Sequence, residues 1–576
     1  MHRLQRLAAS LLTFRARSVA ASAALIAGAS LLSRLLGVLR DRLLSGSFGA
    51  GRELDAYYAA FRFPDFFFNL FVLGAIGAAF IPVMSSCLAA DRDREGTDAP
   101  SWQFVQRLTT VLGVIIAVAA VVCGLAAPLL VPLLTPGFGA DDLALTVRLT
   151  RVMFLAAPLL ALSSVMGSVL QSHRRFLAFA FAPVAYNLGI IGGIAFLSPT
   201  LGIVGAAWGV VAGIVLHFML QWFAARAAGF RWRWRWQPRD AGVLEMARLA
   251  VPRTLALATG QVNLMILTGQ ATLLGAGTLA VFSLAFNLGS FPVGLIGISF
   301  AVASFPVVAD LAARGRTAEL VAEFTRIART VLFLALPATV LFLLLRAQVV
   351  RVVLGTGRFD WGDTVMTADA LAFLVISVFA QSLLPLVTRT FFALRDVKTP
   401  LLVGLVSIAA ERLLAYWLTS SGVLAGASGL ALAYSIGGVV NLVLLWVFLR
   451  RRLGGLGEGK LIRPLTVMTV SALAAAVVVQ VAKTAVGGVV DMRSFVGVFA
   501  QGAVAGTAGF VAYLAVSMAF GLSEARQMFA FGRRGFDVFG RRLRRRGPVI
   551  SCGTTMAGLD GSDAPHCEVE PPTRQP

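Results

Sequence analysis

The chain has 576 residues, 58% of them hydrophobic and 14% charged, with a mean hydropathy of +0.82. That balance lies outside the range of soluble proteins and marks an all-α polytopic membrane protein. A formal net charge of +22 raises nucleic acid as a partner, but the placement of the charge along the chain points to a membrane instead.

Arg3 to Arg17 form a basic stretch ahead of the first apolar run. That run is long, carries charges at its far end and lacks a small-residue cleavage site, so it reads as a retained helix rather than a signal peptide. Crossing roughly 30 Å of hydrocarbon takes about 20 apolar residues, and such runs recur about fourteen times. In chain order they centre near Ile26, Val72, Ala117, Leu159, Tyr186, Ala212, Ala258, Leu295, Phe333, Ile376, Leu405, Leu432, Ala475 and Gly509.

Between them, "SHRR" (Ser172–Arg175), "RWRWRW" (Arg231–Trp236), "AARGR" (Ala312–Arg316), "RDVK" (Arg395–Lys398), "RRR" (Arg450–Arg452) and "RRLRRR" (Arg541–Arg546) fall on alternate loops. Most opposite loops, such as "TPGFGADD" (Thr135–Asp142), "SPT" (Ser198–Thr200) and "TSSG" (Thr419–Gly422), carry no Lys or Arg. This positive-inside pattern places both termini in the cytoplasm. "RWRWRW" then reads as an interfacial anchor rather than a base-stacking element. The expected organisation is a cytoplasmic N-terminus (1–17), a first lobe (18–228), a basic linker (229–241), a second lobe (242–450), two further helices (463–521), a basic interfacial segment (522–547) and a disordered tail (548–576).

Enzyme chemistry is not visible. Cys87, Cys123, Cys552 and Cys567 show no metal-ligand spacing, and there is no phosphate loop, nucleophile elbow or dinucleotide fingerprint. Asp91 with Asp93, and Asp141 with Asp142, sit in short loops and read as solvated carboxylates.

Charge inside the membrane is the informative feature, because each such group costs about 2.5 to 3.5 kcal/mol at the bilayer centre. "SRLLGVLRD" (Ser33–Asp41) places Arg34 within the hydrocarbon and Arg40 and Asp41 towards its far side. Arg34 and Asp41 are seven residues apart and share a helix face, with Gly37 between them leaving room for a backbone or a ligand. "GSFGAGRELDAYYAAFRFPDFFFNLF" (Gly46–Phe71) adds Arg52, Glu53, Asp55, Arg62 and Asp65. Lipid-facing charge at that density inserts poorly, so these groups are expected to line a hydrated cavity on a substrate path. Gln261, Asn263, Asn287 and Gln381 are expected to bond between helices. Glu411 and Arg412, adjacent on one helix, are expected to find separate partners.

An internal echo accompanies these charges. "AFRFP" (Ala60–Pro64) and "AFIP" (Ala79–Pro82) have counterparts in "AFNLG" (Ala285–Gly289) and "ASFP" (Ala303–Pro306), at offsets of 225 and 224 residues. This pairs the second helix with the eighth and implies two pseudo-symmetric six-helix lobes with two helices left over.

"SRLLGVLRD", "FGAGRELDAYYAAFRFP", "QSHRRFLAFAFAPVAYNLGII" (Gln171–Ile191), "FNLGSFPVGLIGISFAVASFPVVA" (Phe286–Ala309) and "FFALRDVKTP" (Phe391–Pro400) resemble, in order and spacing, the MurJ (MviN) lipid II flippases. The resemblance runs from about Ser30 to Val447 and implies membership of the multidrug, oligosaccharidyl-lipid and polysaccharide exporter superfamily, with two six-helix lobes around a central cavity and two extra helices beside a groove for a lipid tail. It implies transport roles for Arg34, Arg40, Asp41 and Asp55. The family's arginine pair after the second-helix proline is replaced by Phe68 and Asn69, its nearby glutamate by Leu73, its eighth-helix arginine by Asn287 and the following acid by Ser290.

The expected activity is movement of a lipid-linked diphosphate glycan, lipid II, from the inner to the outer leaflet of a bacterial cytoplasmic membrane by alternating access. Arg34, Arg40, Arg52 and Arg62 would contact phosphate oxygens, and Asp41 or Asp55 would hold an arginine when substrate is absent or carry a coupling Na+ or H+. No cofactor is expected beyond that cation or the membrane potential, and cell-wall synthesis or division proteins are the expected protein partners. The alternatives are export of another polyprenyl-diphosphate-linked oligosaccharide, favoured by Asn287, drug or small-cation antiport, a non-transporting cell-wall scaffold, and a membrane-embedded glycosyltransferase.

Overall fold

Inside hydrocarbon the backbone has no water to bond, so a membrane-spanning chain closes its hydrogen bonds within helices. The computed structural model describes residues 19–69, 76–91 and 99–530, and these are helical with no strand among them. The N-terminus 1–17, Val72 and Leu73, Asp93, "RRLRRR" and the tail with Cys552 and Cys567 lie outside the described residues. Two compact units divide at Leu522, and of the second only residues 523–530 are described, as a short helix.

The elements of the first unit, in chain order, are α1 Val19–Phe48, α2 Arg52–Phe68, α3 Ile76–Ala90, α4 Pro100–Leu134, α5 Ala140–Phe154, α6 Ala157–Ser172, α7 Phe176–Gly192, α8 Ile203–Ala227, α9 Ala241–Thr272, α10 Thr278–Pro292, α11 Ser299–Ala313, α12 Thr317–Leu344, α13 Arg346–Leu354, α14 Trp361–Val375, α15 Val378–Ala393, α16 Lys398–Ser420, α17 Gly426–Leu453, α18 Gly459–Gly487 and α19 Phe495–Ala519. By length and composition, 10 helical stretches among the described residues can cross a membrane, or 11 with α14 and α15 taken as one span bent by 46°. The predicted centres at Ile26 and Ala258 fall on α1 and α9. The span expected to end at "SPT" continues through a wide turn (Gly193–Leu197) and a short helix (Ser198–Leu201), and the chain reverses at Gly202, whose φ of +59° suits glycine.

The echo read in the sequence has a structural counterpart at an offset of 221. Arg174 and Arg395 both adopt a φ of +58°, which is uncommon for a non-glycine residue. Around Arg174, the next N–H closes back from Arg175 to Leu170 O; around Arg395, it closes back from Asp396 to Phe391 O. The break between α5 and α6 at Ala156 likewise matches the break between α14 and α15 at Ser377, with Leu160 N–H donating to Ala156 O and Gln381 N–H to Ser377 O. The repeat is thus written in turn geometry, and it equates α5 to α8 with α14 to α17.

Two packing regions follow. At the end where α1 leads into α2, a large core joins Leu44, Leu54 and Tyr57 to Leu279, Val350, Phe359, Leu371 and Leu430, so both lobes are sealed together there. Towards the other end, Phe80, Trp102, Phe104, Phe230 and Met246 form a separate cluster. α7 and α8 cross closely: a Cβ on Gly189 would lie 2.2 Å from Gly213 Cα, and one on Gly193 would lie 2.2 Å from Gly209 Cα. α18 and α19 pair with each other and with α12, where the Tyr513 hydroxyl donates to Phe333 O at 2.9 Å. Outward rows such as Leu125, Leu129 and Leu133, 72 to 81% exposed, are the lipid-facing side of α4.

Candidate functional site

The charged residues of α1 and α2 meet Ser283 and Asn287 of α10 around a cavity of about 340 Å³ between the lobes. Arg40, Asp41, Tyr57, Tyr58, Arg62, Asp65, Tyr186, Ser283 and Asn287 are among its lining residues. Arg40 grips one oxygen of its neighbour, with Nε at 3.0 Å and Nη2 at 2.8 Å from Asp41 Oδ1. The other oxygen of Asp41 accepts from Asn287 Nδ2 at 3.2 Å, and Arg40 Nη1 reaches Asn187 Oδ1 at 3.4 Å. Arg62 Nε donates to Thr268 Oγ1 on α9 at 2.8 Å. The hydroxyls of Tyr58 and Ser283 have no protein partner, as expected of groups that water or a ligand completes.

Two arginines and two aspartates line this cavity, so its formal charge is balanced. The balance is uneven in strength, because Arg40 is bound to Asp41 directly whereas Arg62 is held by a neutral hydroxyl. A diphosphate can therefore compete for Arg62 without breaking a hydrogen bond to a carboxylate, and Asn287 gives Asp41 a second donor when Arg40 turns away.

The other predicted site residues are placed elsewhere. Arg34 lies outside the cavity, 5.7 Å over the Phe291 ring and against Gly294. It does share the α1 face of Asp41, since both look towards α10, at Asn287 for Asp41 and one wide turn further along for Arg34. Gly37 leaves open space beside it, with only Asn187 Oδ1, at 4.0 Å, near a Cβ built there, and no backbone occupies that space. Arg52 is exposed at the start of α2 and does not line the cavity.

Asp55 holds no arginine. It is 2% exposed, and its two oxygens accept the N–H groups of Gly277 and Ala280, each at 2.6 Å. It therefore caps the α10 N-terminus from across the lobe boundary, where carboxylate charge and the helix dipole reinforce one another. Gly277, with a φ of +83°, lets the chain turn into α10 directly against Ala50, whose carbonyl would be 2.2 Å from a Cβ there. The same corner is tied to the loop before α14: Arg358 N–H donates to Gly46 O at 2.8 Å, Ala50 N–H to Asp363 Oδ2 at 3.1 Å, and Ser45 Oγ to Leu354 O at 3.1 Å. Together these bonds latch the cavity shut at that end.

A second polar cavity, of about 380 Å³, lies within the second lobe among α9, α15, α16 and α17 and is lined by Gln261, Asn263, Gln381, Glu411 and Asn441. Here Glu411 and Arg412 bond to each other, contrary to the expectation of separate partners. A long guanidinium folds back over the adjacent residue although their Cβ atoms diverge. Asn263 Nδ2 donates to Glu411 Oε2 at 3.0 Å, and Gln270 accepts from Arg412. Among the described residues no group of three His, Cys, Asp or Glu side chains is placed to hold a metal ion. Asp91, one of the loop acids, caps α4 by accepting from Ser101 N–H at 3.0 Å.

The residues that sequence reasoning passed over are Asn187, Tyr57, Tyr58, Tyr186, Thr268 and Ser283. Asn187 and Tyr186 stood within a quoted motif ("APVAYNLG"), and the tyrosine pair lies two residues after Asp55, so proximity to membrane-depth charge was the available signal.

The family model described as "Lipid II flippase MurJ" matches residues 44–499. The "Lipid II flippase MurJ" of Burkholderia cenocepacia is 30% identical over 435 residues, covering 74% of this chain and 83% of that protein. The "Probable lipid II flippase MurJ" of Rhizobium tropici is 31% identical over 455 residues, covering 77% and 84%. A solved structure of "Lipid II flippase MurJ, inward closed conformation" superposes with a TM-score of 0.70 at 21% identity, covering 86% of this chain and 98% of that one. An inward-facing multidrug resistance MATE family transporter of the MOP superfamily gives 0.62 at 17% identity, covering 74% and 96%. At these identities the two structures speak for the fold.

Proposed function

This chain belongs to the lipid II flippase MurJ family, and from that membership we propose that it carries lipid II across the bacterial cytoplasmic membrane, inner to outer leaflet, with the diphosphate held in the cavity of Arg40, Asp41, Arg62 and Asn287. The observation that carries the site assignment is Arg40 itself, a guanidinium at membrane depth turned into an inter-lobe cavity rather than towards lipid.

Dragging a sugar-peptide head with its diphosphate through hydrocarbon is prohibitive, whereas the polyprenyl tail can stay in lipid throughout. The head enters from the end opposite the latch, which the positive-inside pattern makes the cytoplasmic one, with both termini on that side. Phosphate oxygens take N–H groups from Arg62 and then Arg40, and Asn287 keeps Asp41 bonded as its arginine is drawn off. Release needs the latch at Asp55 to part and the lobes to rock about the site. An inside-negative potential favours the outward step by about 2.3 kcal/mol per negative charge per 100 mV, and a coupling Na+ or H+ is the alternative drive. The chain works as a transporter, with no bond made or broken in the substrate.

A second reading, export of another polyprenyl-diphosphate-linked oligosaccharide, is favoured by Asn287 standing where the resemblance implies an arginine. Expression in a bacterium depleted of its own lipid II flippase separates the two. Return of outer-leaflet lipid II supports the first reading; no return at normal membrane levels, with another polyprenyl glycan moved instead, supports the second.

A further inference from the structure

The inter-lobe cavity is built on the internal repeat. Tyr58 and Arg62 stand one turn apart on α2 and both line it, and Ser283 and Asn287 stand one turn apart on α10 and do the same. Tyr58 corresponds to Ser283, and Arg62 to Asn287, at the offset of 225 residues that relates "AFRFP" to "AFNLG". Both helices begin at the latch, where Asp55 accepts from Gly277 and Ala280 N–H, and run away from it in the same direction. The cavity wall is therefore a ladder of two rungs, each made of equivalent residues from the two lobes. The rung of Arg62 and Asn287 carries the charge, with Asp41 and its partner Arg40 bonded to it through Asn287. The rung of Tyr58 and Ser283 is neutral and lies nearer the latch by one turn of helix rise, about 6 Å.

The neutral rung is unsatisfied. Ser283 is 4% exposed, and neither its buried hydroxyl nor that of Tyr58 has a hydrogen-bond partner. A hydroxyl both donates and accepts, whereas a diphosphate offers acceptors alone and is matched by the guanidinium rung. A sugar hydroxyl answers both halves of the requirement. Tyr57, Tyr186 and Phe286 turn aromatic rings to the same cavity, apolar surfaces suited to the C–H face of a sugar ring. We propose that Tyr58 and Ser283 form the subsite for the sugar bonded to the diphosphate, and that they let the transporter tell a glycan-bearing lipid from the same polyprenyl diphosphate without sugar. The inference rests on the reading that a polyprenyl-diphosphate glycan is the cargo, and it names the part of that cargo which the neutral rung selects. Without a sugar the two hydroxyls stay buried and unpaired, the arrangement by which a site rejects a ligand that lacks the matching group. One hydroxyl comes from each lobe, so the sugar ties the lobes across their boundary and the bare lipid does not.

The test is equilibrium binding to the purified full chain of two probes, lipid II and the same polyprenyl diphosphate without its sugars. Tyr58→Phe combined with Ser283→Ala should weaken lipid II by at least about tenfold and the bare lipid by less than about twofold. Arg62→Gln should weaken both alike. Equal loss for both probes in the double variant would put the hydroxyls on phosphate and overturn the proposal, and no loss for either would leave them to water and overturn it as well. Neither hydroxyl has a protein partner, so the double variant should melt no lower than the parent in detergent; a lower melting temperature would mark a structural role and count against the subsite. The parent alone supplies an arm that does not depend on a variant folding. It should bind lipid II at least about tenfold more tightly than the bare lipid; equal affinities would bring down this inference alone, whereas a parent that binds neither probe would bring down the cargo reading and this inference with it.

Discussion

Two polar cavities of similar size lie at membrane depth, each with an adjacent arginine–carboxylate pair, and they differ in what else they hold. In the second lobe, Glu411 and Arg412 bond to each other and are closed in by Asn263 and Gln270, all within one lobe. Between the lobes, Arg40 is bonded to its neighbour Asp41, while Arg62, from a different helix, donates to the Thr268 hydroxyl with Asp65 in the same cavity. Both cavities thus pair an arginine internally, and only the inter-lobe one adds a second arginine hydrogen-bonded to a neutral group. A self-satisfied pair fixes structure, whereas an arginine with a replaceable partner can be claimed by a substrate.

Arg40→Ala should break this comparison hardest. Truncating one member of a buried charge pair costs about 2–5 kcal/mol, so lipid II transport should fall by roughly 30-fold or more. Membrane insertion should persist, as immunodetection in isolated membranes will report. Glu411→Gln should do the reverse: thermal stability in detergent drops by about 1–3 kcal/mol as Arg412 loses its carboxylate, while transport per folded molecule stays within about twofold. A collapse of transport with unchanged stability would make the second cavity functional after all.

Asp55→Asn should be milder, because an amide keeps one acceptor for the α10 N-terminus and loses the charge. A cost of about 1–2 kcal/mol shifts the latch towards opening by roughly fivefold or more. With Cys87, Cys123, Cys552 and Cys567 replaced by Ala, a cysteine introduced at Ser47 should react correspondingly faster with an impermeant maleimide. Asn287→Arg sharpens the comparison from the other side. An added guanidinium beside Asp41 should tighten lipid II binding by a factor below about ten, read by equilibrium binding.

The smallest effect belongs to Asp396 in the loop before α16. Burial pushes its carboxyl up, but the N–H and hydroxyl of Thr399 and the Arg452 guanidinium outweigh this and hold it below the usual range. A carboxyl lowered by folding stabilises above the unfolded value of about 3.9 and loses that contribution as pH falls through its lower folded value. Parent and Asp396→Asn should therefore differ in melting temperature near neutrality and converge in acid.

Much of this was legible in the sequence because hydrocarbon is an exacting solvent. It forces helices of known length, and it makes each membrane-depth charge stand out, which is how Arg40, Asp41 and Arg62 could be read directly. The seven-residue spacing of Arg34 and Asp41 gave a shared helix face, which in the fold looks towards α10. Asp55 could not be read this way, since its partners at Gly277 and Ala280 lie more than two hundred residues on and are backbone groups with no side-chain signature. The Glu411–Arg412 pair was misread because helix-face rules follow Cβ positions, while a guanidinium reaches well past its own Cβ. The repeat at Arg174 and Arg395 escaped notice because a positive φ is a property of the turn rather than of the side chain that occupies it.

The most direct test of the central claim is equilibrium binding of lipid II to the purified chain, parent beside Arg40→Ala, across a range of salt concentrations. The account predicts that the parent binds at least about tenfold more tightly, as loss of a charge-assisted contact to phosphate implies, and that the gap narrows as salt rises. Equal affinities at every salt concentration would contradict it and remove the inter-lobe arginine from the substrate path.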